Sequence, residues 1–221
     1  MKQRALLSWS SGKDSAFSLE ALRARDDLEV VGLLTTVNRE SDRVAMHAVR
    51  RSLLQAQADA ARLPLRMVEI PSPCPNEEYE AAMERALADA TRDGITAIAF
   101  GDLYLEEVRR YREDRLAGSG VEPVFPLWGQ PTLALAREMI ARGVRATLTC
   151  VDPAKLDASF AGREFDERLL AGLPKGVDPC GEMGEFHTFA WAGPMFERPI
   201  SVRRGEVVER GGFVFADLIE A

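Results

Sequence analysis

The stretch Ser8-Trp9-Ser10-Ser11-Gly12-Lys13-Asp14-Ser15 decides how this chain folds. It follows the short apolar run Ala5-Leu6-Leu7, which predicts a buried strand. It precedes Ala16-Phe17-Ser18-Leu19-Glu20-Ala21-Leu22, where apolar residues recur at helical spacing. The unit is therefore a strand, a tight turn of small residues, and a helix. That geometry makes an anion site, because first-turn N–H groups lack intrahelical partners and the helix dipole adds positive potential there. Gly12 lets backbone approach a phosphate closely. Ser10, Ser11 and Ser15 offer hydroxyl donors, and Lys13 a mobile positive charge. A serine-rich helix cap with a solvated Lys-Asp pair is the plainer alternative.

The stretch is not a Walker A loop, which places Gly-Lys-Ser/Thr after Gly and four residues; here Asp14 follows the lysine. It resembles the pyrophosphate loop, Ser-Gly-Gly-x-Asp-Ser, of the N-type ATP pyrophosphatases. Ser11 stands where that pattern has its first glycine, so Ser11 must avoid positive φ or tolerate it at some cost.

Working outward, Glu29 to Val37 is a near-continuous apolar run of the kind found in strands buried on both faces. Ala45 to Leu63 reads as a helix with the stripe Val49, Leu53, Ala56 and Ala60, stopped by Pro64. Leu65 to Ile70 alternates like a strand. Asn76 is a predicted N-cap for a helix running from Glu77 towards Gly94, its C′ residue. Ile95 to Phe100 is a further buried strand ending at Gly101-Asp102, and Leu105 to Leu116 is a charged helix. Val121 to Leu127 returns to strand character, interrupted by Pro123 and Pro126.

These alternations predict an α/β fold: a doubly wound, mostly parallel sheet with helices on both faces. In such sheets ligands bind at the carboxyl ends of the strands. Ser10 to Ser15, Thr35 with Thr36, and Gly101 with Asp102 fall along that edge, forming one nucleotide crevice. A boundary near Pro126 divides an ATP-binding part, 1–126, from a smaller C-terminal α+β part, 127–221. In the second part, Leu133 to Gly143 reads as a helix and Arg145 to Val151 as a strand. Asp157 to Leu173 reads as helical with a break near Gly162, and Phe186 to Trp191 as a strand. Ile200 to Ile219 reads as an antiparallel hairpin with turns at Arg204-Gly205 and Gly211-Gly212. No linker separates the two parts, so close packing is expected.

Composition narrows the class. An apolar content of 46% suffices for a real core, and no apolar run approaches the roughly 20 residues of a membrane span. The N-terminal residues lack a signal-peptide pattern. Three scattered cysteines with no C-x-x-C pair argue against a disulfide framework or a zinc site. A cytoplasmic protein is expected. The net charge of −7 argues against broad nucleic-acid binding. The oligomeric state is left open, a homodimer included.

A second constellation is Asp178-Pro179-Cys180-Gly181-Glu182-Met183-Gly184-Glu185-Phe186-His187-Thr188-Phe189. Glu182 and Glu185 can bind an amine, polarise a nucleophile or help hold a metal; a turn with solvated carboxylates is the alternative. Gly-Glu-x-Gly-Glu-Phe-His-Thr, with Gly101-Asp102, Pro126-Leu127-Trp128 and Met46-His47, resembles the diphthine–ammonia ligase family. That family belongs to the adenine-nucleotide α-hydrolase superfamily. The match covers nearly the whole chain in order and departs at Met183, where the family has Asn.

The family reaction amidates diphthine on elongation factor 2 with ATP and ammonia, releasing AMP and pyrophosphate. The resemblance implies ATP and Mg²⁺ as cofactors, adenylation of a carboxylate, and displacement of AMP by ammonia or another amine. The carboxylate itself stays open: a small metabolite or a modified protein side chain. Ser10, Ser11, Gly12, Lys13, Asp14, Ser15, Thr35, His47, Gly101 and Asp102 are the implied nucleotide-binding residues. Lys13, Asp14, Glu182, Glu185 and His187 are the implied catalytic set, with Asp14 also on Mg²⁺. His187 either does acid–base work or only holds its turn. Arg109, Arg110 and Arg112 either grip an anion or form a solvated face, and Cys180 reads as packing rather than nucleophile. The other readings are a sulfurtransferase using the same loop and a nucleotide-binding sensor without turnover.

Overall fold

The computed structural model describes residues 2–40, 43–44 and 49–221. Ala5, Leu6 and Leu7 are fully buried in β1 (Gln3–Ser8). β1 pairs in parallel with β2 (Leu28–Asn38) on one side and β5 (Ala97–Ala99) on the other. β2 pairs in parallel with β4 (Leu65–Ile70), and β5 with β6 (Glu122–Val124). The parallel strands thus run β4-β2-β1-β5-β6: the chain winds outward from β1 one way, then returns and winds outward the other way. Strand order reverses between β1 and β5. That is where a doubly wound sheet opens a crevice at its carboxyl edge.

The intervening helices are α1 (Lys13–Arg23), α2 (Arg51–Ala61), α3 (Asn76–Arg92) and α4 (Glu106–Leu116). After α5 (Thr132–Ala141) the chain builds a second, antiparallel sheet from β7 (Arg145–Val151), β8 (Phe186–Ala192), β9 (Val202–Arg210) and β10 (Phe213–Glu220), in the order β8-β7-β10-β9. A short helix, α6 (Glu167–Gly172), lies between β7 and β8. One continuous core joins both sheets, from Leu7, Trp9 and Phe17 to Leu148, Phe186 and Phe189. No helix among the described residues is long and apolar enough to cross a membrane.

The structure corrects several local expectations. The helix expected from Ala45 begins only at Arg51; Val49 and Arg50 precede it, and residues 45–48, with His47, lie outside the described residues. A short strand, β3 (Arg43–Val44), pairs antiparallel with the end of β2. Asn76 does not cap α3. Pro75 occupies the N-cap with its ring-fixed φ, and its carbonyl accepts from Tyr79 N at 3.0 Å. Between Asp157 and Leu173 only a single 3₁₀ turn (Ala158–Phe160) and α6 are helical. The residues between them bond instead to β7: Gly162 N donates to Leu148 O at 2.8 Å and Phe165 N to Ala146 O at 2.8 Å. Arg204-Gly205 is not a turn. Gly205 lies within β9 facing Asp217, where the β9/β10 register slips, and a Cβ there would sit 3.2 Å from Asp217 Cβ. Gly211-Gly212 makes the hairpin turn by itself.

Candidate active site

The loop after β1 is held from three directions. Ser11 adopts φ +71°, the left-handed conformation that the missing glycine would have taken freely. Its carbonyl accepts from Ala190 N of β8 and from Gln57 Nε2 of α2, both at 2.9 Å. Gln57 also accepts from Trp9 Nε1 at 2.8 Å and donates to Ala190 O at 2.6 Å. Gly12 has an ordinary extended backbone, so its small size serves close approach: a Cβ would meet Ser10 Oγ and Thr188 O at 3.3 Å. The first intrahelical bond of α1 is Ala16 N to Gly12 O, 3.0 Å. The amides of Lys13, Asp14 and Ser15 therefore lack helical acceptors. Thr188 Oγ1 takes the Lys13 amide at 3.1 Å.

The carboxyl end of β5 packs directly on this first turn. A Cβ on Gly101 would lie 3.1 Å from Ser15 N. From the second sheet, the turn at 178–185 folds over the same place. Gly181 at φ +71° allows it, since a Cβ would clash with Phe186 O at 2.8 Å. Asp178 organises this turn by accepting from Cys180 N at 2.8 Å and from Thr132 Oγ1 at 2.7 Å. Glu182 reaches across to the first sheet, and its Oε1 accepts from Leu103 N at 2.8 Å, beside Asp102.

The result is a polar cleft of roughly 310 Å³ at the strand-order reversal. Ser10, Gly12, Lys13, Asp14, Ser15, Gly101, Asp102, Glu182 and His187 all line it. A larger, mostly apolar cavity of roughly 440 Å³ adjoins it, between α3, α4 and the ends of β1 and β2. Ser8, Ser10, Phe100 and Arg112 line both.

Charges in the cleft perturb one another. Lys13 is only 1% exposed. Its Nζ donates to both Asp14 oxygens, at 2.9 and 3.1 Å, and to Cys180 O at 2.5 Å. Burial alone would lower its pKa; Asp14, together with Cys180 and Glu182, more than offsets that and keeps the ammonium charged. Burial raises the Asp102 carboxyl although Arg112 opposes it. Burial, aided by Asp14 and Asp102, pushes Glu182 up to about 7 against the pull of its Leu103 hydrogen bond. Burial, with Lys13 and Lys155, lowers His187 to about 4, so its imidazole is neutral at pH 7.

The remaining sequence-based candidates lie elsewhere. Ser11 is buried beneath the loop, and its Oγ has no partner among the described residues. Thr35 lines the apolar cavity and not the polar cleft. Glu185 is 3% exposed and sits behind the turn, accepting from Asp178 N at 2.9 Å. Cys180, by contrast, lines the polar cleft, but it is buried and burial pushes its thiol up to about 12. Sequence reasoning missed Gln57 and the helix-capping part of Thr188. Gln57 gave no signal, being one glutamine in an Ala- and Gln-rich helix.

Comparison with known proteins agrees in both halves of the chain. A family model described as the diphthamide synthase N-terminal domain matches residues 1–122, and one described as the diphthamide synthase C-terminal domain matches residues 131–216. A human protein named diphthine–ammonia ligase is 27% identical over 238 aligned residues, covering 98% of this chain and 88% of the human one. Its zebrafish counterpart is 28% identical, covering 94% and 89%. A fission-yeast protein of the same name is 26% identical, with 90% of this chain matching 36% of its length. Matched in sequence order across both sheets, the chain belongs to the diphthamide synthase family, enzymes of the ligase type.

Proposed function

We propose that this chain is an ATP-dependent ligase that adenylates a carboxylate and amidates it with ammonia or another amine. The observation that carries the reading is the shared cleft: Lys13 and Asp14 of one sheet and Glu182 of the other line a single cavity. The adjoining apolar cavity suits a nucleoside, with Thr35 and Thr36 on its wall. The two halves then divide the work, with nucleotide on 1–126 and acceptor on 127–221.

In the first step a carboxylate oxygen attacks the α-phosphorus and the bond to the β-phosphate breaks. The Asp14 and Ser15 amides and the Lys13 ammonium face the charge that builds on the departing pyrophosphate. In the second step ammonia attacks the acyl-adenylate carbonyl, AMP leaves, and one proton is released. Glu182, half ionised near neutral pH, is suited to take that proton. Neutral His187 serves as a hydrogen-bonding partner rather than an acid.

Among the described residues no three His, Cys, Asp or Glu side chains form a ready-made metal cage. Mg²⁺ needs no such cage: one or two carboxylates with phosphate oxygens suffice. Asp14 and Asp102, both lining the cleft, supply hard oxygen donors of that kind. When bound, the ion would neutralise phosphate charge.

Sulfur transfer is disfavoured. It calls for a thiolate accessible at the cleft; Cys150 and Cys180 are buried with thiols pushed up to about 12, and the half-buried Cys74 lines neither cavity. Unpaired cysteines suit a reducing compartment, the cytoplasm in this proposal. The test is incubation with ATP, Mg²⁺, ammonium and a panel of carboxylic acids. AMP and pyrophosphate in equal amounts are expected with at least one acid. Formation of ADP, or binding of ATP without conversion across the panel, would overturn the proposal.

A further inference from the structure

Arg112 lines both cavities at the seam between them. Its neighbours on α4 do not face the cleft. Arg109 lies 4.9 Å from the Phe125 ring and 4.8 Å from the Trp128 ring and bonds Glu113, Arg110 is exposed, and Arg115 bonds Glu80. The guanidinium of Arg112 lies over the Phe100 ring at 4.9 Å, which fixes where it sits. Its polar contact with Asp102 is long, 3.5 Å from Nε to Oδ2. Lys13, the other cation in the cleft, is already held by three oxygens.

A nucleotide with its base in the apolar cavity and its terminal phosphates on the first turn of α1 must pass this seam. The atom it places there is the phosphorus attached to the nucleoside. We propose that Arg112 exchanges its weak contact with Asp102 for the α-phosphate, binding the group that is transferred rather than the group that leaves. This rests on the ATP reading above and adds to it a residue and an atom. Two parallel N–H bonds from a guanidinium fit two phosphoryl oxygens, a geometry that lysine does not reproduce. The same grip would hold as the carboxylate oxygen bonds to that phosphorus and the bond to pyrophosphate breaks.

The experiment needs no knowledge of the acceptor. Calorimetric titrations of adenosine, AMP and inorganic pyrophosphate would be run on the unaltered protein, Arg112→Ala, Arg112→Lys and the exposed control Arg110→Ala. Loss of a charged hydrogen-bonding pair predicts AMP binding weaker by about ten- to a hundredfold in Arg112→Ala. Arg112→Lys should fall between, Arg110→Ala should match the unaltered protein, and adenosine and pyrophosphate should bind within about twofold throughout. Retained adenosine binding also shows that the variant is folded. Unchanged AMP affinity, equal losses for AMP and adenosine, or a loss confined to pyrophosphate would each overturn the assignment. If the unaltered protein bound pyrophosphate but neither adenosine nor AMP, the nucleotide reading itself would fall, and this one with it.

Discussion

Glu182→Gln should make the protein more stable and inactive at once. The carboxyl ordinarily titrates at 4.5 and is pushed up to about 7 in the fold. Holding the ionised form in the folded cleft therefore costs about 3 kcal/mol. Below the unfolded value both states are protonated and nothing is lost. As pH rises from 4.5 to about 7 the unfolded chain ionises first, and the folded state is progressively disfavoured. Above 7 the full penalty applies. Glutamine keeps an oxygen able to accept from Leu103 N and removes the charge facing Asp14 and Asp102. Because Glu182 is partly reached by solvent, the realistic gain at pH 8.5 is about 1–3 kcal/mol, with near equality at pH 4.5. Urea unfolding at both pH values measures it, read by tryptophan fluorescence, with unchanged m as the sign that only stability moved. Equal stability at pH 8.5, or a less stable variant, would refute the reasoning: Glu182 would then not be desolvated beside the other carboxylates. In turnover assays the variant should still bind ATP and form no amide, a trade between stability and activity.

Three further expectations test the cleft's supports. Ser11→Gly relieves a left-handed serine and removes a buried hydroxyl without a partner among the described residues. It should stabilise by about 1 kcal/mol, raising Tm by roughly 2–4 °C in calorimetry. Thr188→Val removes the acceptor for the Lys13 amide while keeping side-chain volume. It should destabilise by about 1 kcal/mol in urea unfolding, whereas Thr188→Ser should not. Without denaturant at pH 7, a thiol reagent should modify Cys74 alone, because Cys150 and Cys180 are buried with thiols pushed up to about 12; all three should react in urea. Mass spectrometry of the labelled peptides reads this directly.

The doubly wound sheet was legible because its strands are apolar runs and its helices carry stripes, signals that depend only on neighbours in sequence. The loop from Ser8 to Ser15 was legible for the same reason: a strand, small residues and a helix start are all local. Where local signals competed with pairing partners, the sequence misled. The segment from Asp157 to Leu173 has helical residues but spends its backbone hydrogen bonds on β7. Gly205 looks like a turn and is a slip in a strand register.

By itself, then, the sequence determined the strand–loop–helix unit, the sheet class and the motif around Glu182. Only the tertiary structure decided which residues share a cavity. Glu185 and Glu182 are three residues apart and look alike in sequence, yet one holds its own turn and the other crosses to Leu103. Gln57, Thr188 and Arg112 gained their places through contacts made by chain segments far apart in sequence. Hydrogen-bond partners and desolvation are properties of the packed cleft, and no window of neighbouring residues contains them.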